Sequence, residues 1–139
     1  MTYPSINLIV ENLSLSAKLL DDDEPVFEAD DDTAVVFRDC RLIASENDMS
    51  GRAVDLMSLE VTFIRTTIVK KGGPSNTGYI GVDAETLRMF NSKVMGFDVG
   101  ISGRLNFTKD DRLFKTQLSM NTVGMFINQY ILARSSNWI

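Results

Sequence analysis

Residues Ala53 to Lys71 read AVDLMSLEVTFIRTTIVKK, and the fold turns on how that stretch is taken. Met57, Leu59, Val61 and Phe63 fall on one side of an extended chain, with Ser58, Glu60 and Thr62 on the other. A period of two built from β-branched and aromatic residues predicts a strand with one buried face. After Phe63 the pattern slips: Ile64 and Ile68 take the apolar positions, while Arg65 and Thr67 fall on the former core side. A bulge near Ile64-Arg65, re-aiming the strand without ending it, accounts for the slip. The remainder of the chain is expected to pack around this strand.

Upstream, Leu13, Leu15, Ala17 and Leu19 alternate with Ser14, Ser16 and Lys18, which predicts one or two strands with a break near Glu11-Asn12. Asp21 to Asp32, DDDEPVFEADDD, carries 8 carboxylates and no base. It reads as an acidic loop with a short edge strand at Pro25-Val26-Phe27, where a residue without an N–H is tolerated. Thr33 to Ala44 is a further strand, and Ser45 to Gly51 a turn.

Downstream, Lys70 to Gly78, KKGGPSNTG, is a Gly-rich loop at a hairpin tip. Asp83 suits a helix N-cap, with Glu85 in the first turn and Leu87 and Phe90 facing inward, so a helix of about two to three turns is predicted. Phe97, Val99, Ile101, Leu105 and Phe107 alternate with polar or small residues as a strand. Thr108 to Asp111 would make a hairpin turn, returning through Phe114, Thr116, Leu118 and Met120 on the inner face. Val123, Phe126, Ile127, Tyr130 and Ile131 recur at three and four residues, which predicts a helix of about three turns. The tail, residues 135–139, ends in Trp138 and Ile139. No internal repeat and no linker stands out. The expected fold is a single mainly β (α+β) domain over residues 1–139: an antiparallel β-sandwich or curled sheet with one or two short helices packed on it.

Composition narrows the chemistry. At 139 residues the chain has the length of one domain. With no histidine, it has no Ser-His-Asp or Cys-His nucleophile pair, no His-ligated zinc and no imidazole acid–base. The single cysteine, Cys40, reads as a small buried hydrophobe in VVFRDCRLI. Catalysis by paired carboxylates would need a pocket uniting two of Asp39, Asp55, Glu60 and Asp98. The start of the chain lacks a basic and apolar leader, and no apolar run approaches about 18 residues, so a cytoplasmic protein without a membrane span is expected.

Charge is lopsided. Residues 1–60 hold 14 Asp/Glu against 4 Lys/Arg, and residues 61–139 hold 5 against 10. Contiguous Asp triplets do not give the alternate spacing of a Ca²⁺ loop, so no metal is expected. The Gly-rich loop lacks the G-K-[ST] ending of a phosphate cradle, and no cofactor is expected. A pI near 4.7 argues against nucleic acid as a direct partner. These features suit a non-catalytic structural or assembly subunit, forming a homo-oligomer or part of a larger particle. The setting expected is a phage or virus virion, as a tail, neck or decoration protein. Its partner-binding residues would be Asp21, Asp22, Asp23, Glu24, Glu28, Asp30, Asp31 and Asp32, facing Lys70 and Lys71 or Arg112 and Lys115 of a neighbouring subunit. Trp138 and Ile139 would bury against that neighbour. The alternative is an acidic inhibitor that mimics nucleic acid and fills a basic groove.

Overall fold

The computed structural model describes residues 6–16, 25–29, 33–44, 51–103, 112–127, 130–134 and 137–138. These residues form strands and no helix. In chain order the strands are β1 (Ile6–Glu11), β2 (Ser14–Ser16), β3 (Phe27–Ala29), β4 (Thr33–Arg38), β5 (Arg41–Ala44), β6 (Arg52–Ile64), β7 (Thr67–Lys70) and β8 (Ile80–Phe90). They continue as β9 (Lys93–Met95), β10 (Val99–Gly103), β11 (Arg112–Phe114), β12 (Gln117–Ser119), β13 (Val123–Ile127), β14 (Tyr130–Arg134) and β15 (Asn137–Trp138).

Pairing is parallel throughout, apart from the last two strands. Ile6 pairs with Thr33, Val35 with Val61, Thr62 with Arg88, and Arg88 with Arg112, so each partner lies 24–27 residues further along the chain. Such a register makes the chain a parallel β-solenoid, in which every coil stacks on the one before. Each full coil has three faces. The first is built by β3, β10, β13 and the leading halves of β6 and β8; the second by β1, β4, β11 and the trailing halves of β6 and β8. The third is the six-stranded sheet in the order β15-β12-β9-β7-β5-β2.

Inward side chains stack coil on coil. Val35, Val61 and Leu87 form one buried column, Phe37, Phe63 and Met89 a second, and Leu42, Ile68, Val94 and Leu118 a third. The rings of Phe37 and Phe63 lie nearly parallel with centroids 5.2 Å apart, and Phe27 meets Phe37 edge-on at 5.0 Å. Within β6 and β8 the buried set changes parity at the corner between the first two faces. Val54 and Leu56 give way to Val61 and Phe63, and Val82 and Ala84 to Leu87 and Met89. A one-residue slip of this kind sends the next side chains to the opposite side of the strand, and here it keeps the core side inward as the chain turns.

The bend between the second and third faces takes two residues in every coil: Asn12-Leu13, Asp39-Cys40, Arg65-Thr66, Asn91-Ser92 and Lys115-Thr116. The first of each pair has positive φ, between 46° and 55°. Asn and Asp tolerate that conformation better than other side chains. The second member is interior from the second coil onward, with Thr66 and Thr116 fully buried. Thr66 Oγ1 accepts the Cys40 N–H at 3.3 Å, and Ser92 Oγ accepts the Thr66 N–H at 3.1 Å, so hydroxyls satisfy backbone donors from coil to coil. Cys40, 5% exposed, joins this column and donates its Sγ–H toward the carbonyls of Val10 and Arg38. The opposite corner, from third face to first, varies in length where the structure describes it: 71–79, 96–98 and 120–122.

Several expectations are corrected. The antiparallel β-sandwich or curled sheet with packed helices is replaced by a parallel solenoid without helices among the described residues. The helix expected from Asp83 is the second half of β8, because the parity change at the corner places apolar residues at helix-like intervals. The helix expected over Val123 to Ile131 is the reversing pair β13 and β14. β10 and β11 form no hairpin with each other; both pair in parallel with β8. Phe114 and Met120, expected inside, are 54% and 62% exposed. The slip after Phe63 is a true corner, since β6 ends at Ile64 and β7 begins on another face. An internal repeat of about one coil is present after all. The acidic residues 21–24 and 30–32, the turn 45–50, the hairpin turn 108–111 and Ile139 lie outside the described residues.

Candidate functional site

The Gly-rich segment after β7 closes on a carboxylate of its own chain. Asp98 Oδ1 accepts the N–H groups of Ser75 and Asn76 at 2.9 and 2.8 Å. Its Oδ2 accepts those of Thr77, Gly78 and Tyr79 at 2.9, 2.7 and 2.9 Å. Burial works to raise the Asp98 pKa, but the amides of Tyr79, Asn76, Gly78 and Thr77 outweigh it and hold the carboxyl below its usual range. Converging backbone N–H groups make an anion nest, and here the anion is Asp98. The segment is therefore a pinned corner, not a hairpin tip. Lys70 belongs to the same corner: it is 3% exposed, its Nζ donates to the Gly73 carbonyl at 2.8 Å, and it lies 6.0 Å from the Tyr79 ring centre.

The residues expected to bind partners are therefore dispersed. Lys70 faces the interior, whereas Lys71, Arg112 and Lys115 are exposed. Glu28 is exposed on the first face, where its strand neighbour is Asp55 and the next in line is Asp83. Trp138 lies in β15, whose backbone pairs with β12. Asp21, Asp22, Asp23, Glu24, Asp30, Asp31, Asp32 and Ile139 fall outside the described residues. Of the carboxylates considered for catalysis, Asp39 pairs with Arg65 at the bend, Asp55 sits on the first face, Glu60 reaches Arg88 on the second, and Asp98 fills the nest. Among the described residues no group of three His, Cys, Asp or Glu side chains is placed to hold a metal.

Other charged residues join successive coils. Arg38 meets Glu11 at 2.9 Å, Arg52 meets Asp83 at 2.6 Å, and Arg65 grips both oxygens of Asp39 through Nε and Nη2 at 2.6 and 2.9 Å. The Arg65 hydrogen bond holds the Asp39 carboxyl below its ordinary pKa and raises that of the guanidinium.

Two surfaces remain. Along the two-residue bend runs an open groove of about 540 Å³, lined by the cations Arg65, Lys93 and Lys115. Thr67, Asn91, Ser92 and Gln117 supply hydroxyl and amide groups between them. Arg65, Lys93 and Lys115 stand far apart along the chain. The signal that unites them is the coil repeat, which puts Arg65, Asn91 and Lys115 on one ladder and Thr67, Lys93 and Gln117 on the next.

The second surface is the start of the solenoid. β1 and β2 end their sheets, with no further strand beyond them among the described residues. Leu8, Ile9 and Leu13 are 39%, 58% and 50% exposed there. At the opposite end the chain reverses, and β14 and β15 lie antiparallel on β13 and β12.

The architecture thus defines the class, a parallel β-solenoid. Compared with known proteins, the chain matches no family model, no curated protein and no solved structure.

Proposed function

We propose that the chain is a non-catalytic structural subunit that assembles by joining its first coil to that of a second copy. The observation that carries this reading is the exposed apolar surface beside the edge strands of the first coil. At the last coil two sheets finish on antiparallel strands, β14 and β15. At the first coil they finish on parallel β1 and β2, with no further strand beyond them among the described residues and with Leu8, Ile9 and Leu13 exposed there. Open edges are templates for strand pairing. Leu13 occupies the bend position held by Cys40, Thr66, Ser92 and Thr116 in later coils, so a partner there would complete the column. A twofold joint between two first coils sets β1 antiparallel to its counterpart. Apolar contact supplies the affinity, because exposed ion pairs contribute only about 0–1 kcal/mol each.

Sedimentation of the purified chain across concentration, at low and high salt, tests this reading. A dimer insensitive to salt is expected, shifted to monomer by Leu13→Glu with the far-ultraviolet circular dichroism unchanged. A monomer at every concentration and salt overturns it.

A further inference from the structure

We propose that the groove along the bend binds an acidic oligosaccharide, a chain of hydroxylated rings bearing carboxylate or sulfate groups. Three cations line one groove, and no carboxylate or aromatic residue is among its lining side chains. The nearest acidic partner, Asp39, engages two N–H groups of Arg65, and a guanidinium has five. Lys93 and Lys115 bring two further charges. Stacked strands lie about 4.8 Å apart, so Arg65 and Lys115, two coils apart, are separated by roughly 10 Å along the axis. That span suits an extended ligand with repeated anionic groups better than a single small ion.

Neutral groups decide the class. Asn91 and Gln117 offer amides that donate and accept, and Thr67 offers a hydroxyl, alternating with the cations along both ladders. Ser92 Oγ already donates to the Phe90 carbonyl and accepts the Thr66 N–H, so it fixes the groove floor and leaves ligand contacts to the others. Multiple hydroxyls on a ligand match this set. Bases of a nucleic acid would want aromatic faces to stack on, and the lining has none. Because the bend takes two residues in every coil, both ladders are held by backbone pairing, and the site is rigid before any ligand arrives.

The test is calorimetric titration of the intact chain with a galacturonate hexasaccharide and a heparin-derived hexasaccharide. Maltohexaose and inorganic phosphate are titrated in parallel. Saturable binding of one acidic hexasaccharide is expected, weakened by added salt. Lys93→Gln and Lys115→Gln should each weaken it about tenfold, the effect of losing one charge-assisted hydrogen bond. Lys71→Gln, exposed and outside the groove, should leave it unchanged, and circular dichroism confirms that each variant folds. The uronate and sulfated arms identify which anion the groove prefers. The proposal is overturned if neither acidic hexasaccharide binds, if maltohexaose or phosphate binds as well, or if both lysine variants bind like the parent chain. Its failure leaves the assembly reading untouched, since that reading rests on the other end of the molecule.

Discussion

Replacing Asp98 by Asn keeps the size of the side chain and removes one of the two acceptor oxygens that the nest holds. Five backbone N–H groups converge on the carboxylate, two on Oδ1 and three on Oδ2. An amide has one acceptor oxygen, so its better orientation serves Thr77, Gly78 and Tyr79 and turns an NH₂ toward the donors of Ser75 and Asn76. Each unsatisfied buried donor costs about 1–3 kcal/mol. Asn76 is exposed and Ser75 partly so, so water recovers part of that penalty. The net loss is about 2–4 kcal/mol, a fall in melting midpoint of roughly 10 °C for a chain of this length. The effect carries a pH signature. With its folded pKa below the unfolded value, Asp98 contributes stability that is complete above about pH 4 and is lost as pH falls through the folded pKa. Thermal melts followed by circular dichroism from pH 7 to pH 3 should show the gap between parent and Asp98→Asn narrowing below pH 4. Trypsin should also cut faster after Lys71 in the variant. A melt within about 2 °C of the parent at pH 7, with unchanged proteolysis, refutes the nest as a stabilising element.

Gly96 has φ +88°, and an added Cβ there falls on the Lys70 backbone carbonyl. Gly96→Ala should therefore cost about 3 kcal/mol or more, whereas Gly72→Ala, at φ +86° in open space, should cost about 1 kcal/mol by urea denaturation. Asn121→Ala strands the Phe97 N–H and the Val94 carbonyl, both bonded by its buried amide, and should lower stability by about 2–4 kcal/mol in the same assay. Changing Asp21, Asp22, Asp23, Asp30, Asp31 and Asp32 to Asn should leave self-association intact in sedimentation. Loss of the dimer would move the contact from the apolar first coil to the acidic segment.

Strand content was legible in the sequence, and topology was not. Alternation at Val61 and Phe63, and again at Phe97 and Ile101, marked residues that the structure buries. Alternation reports only that one side of a strand is covered; it does not say whether the neighbouring strand is parallel or antiparallel. The deciding signal was a weak hexad: apolar, two variable residues, a mostly small residue, one variable residue, apolar. It appears at Val10–Leu15, Phe37–Leu42, Phe63–Ile68, Met89–Val94 and Leu113–Leu118. Identity across those copies is low because stacking requires size and polarity at each place, not particular residues. The two helix readings failed for one physical reason. A strand that turns a corner, or reverses, breaks its period of two, and the resulting intervals of three and four imitate a helical stripe, as at Ala84 and Leu87. The groove was invisible because its cations lie far apart in sequence and meet only through the coil period.

The two corners of the solenoid respond differently to change in the gene. At the bend, one added codon would displace the positive-φ residue from its column and uncouple two sheets at once. At the opposite corner the same architecture already carries stretches from the three residues 96–98 to the nine residues 71–79. Foreign peptides grafted at Gly72, between β7 and β8, where open space surrounds the chain, would be displayed on a frame whose coils are registered elsewhere. Natural variants of this molecule should likewise differ in length along that single edge, which makes it the side on which new specificities can be written without refolding the rest.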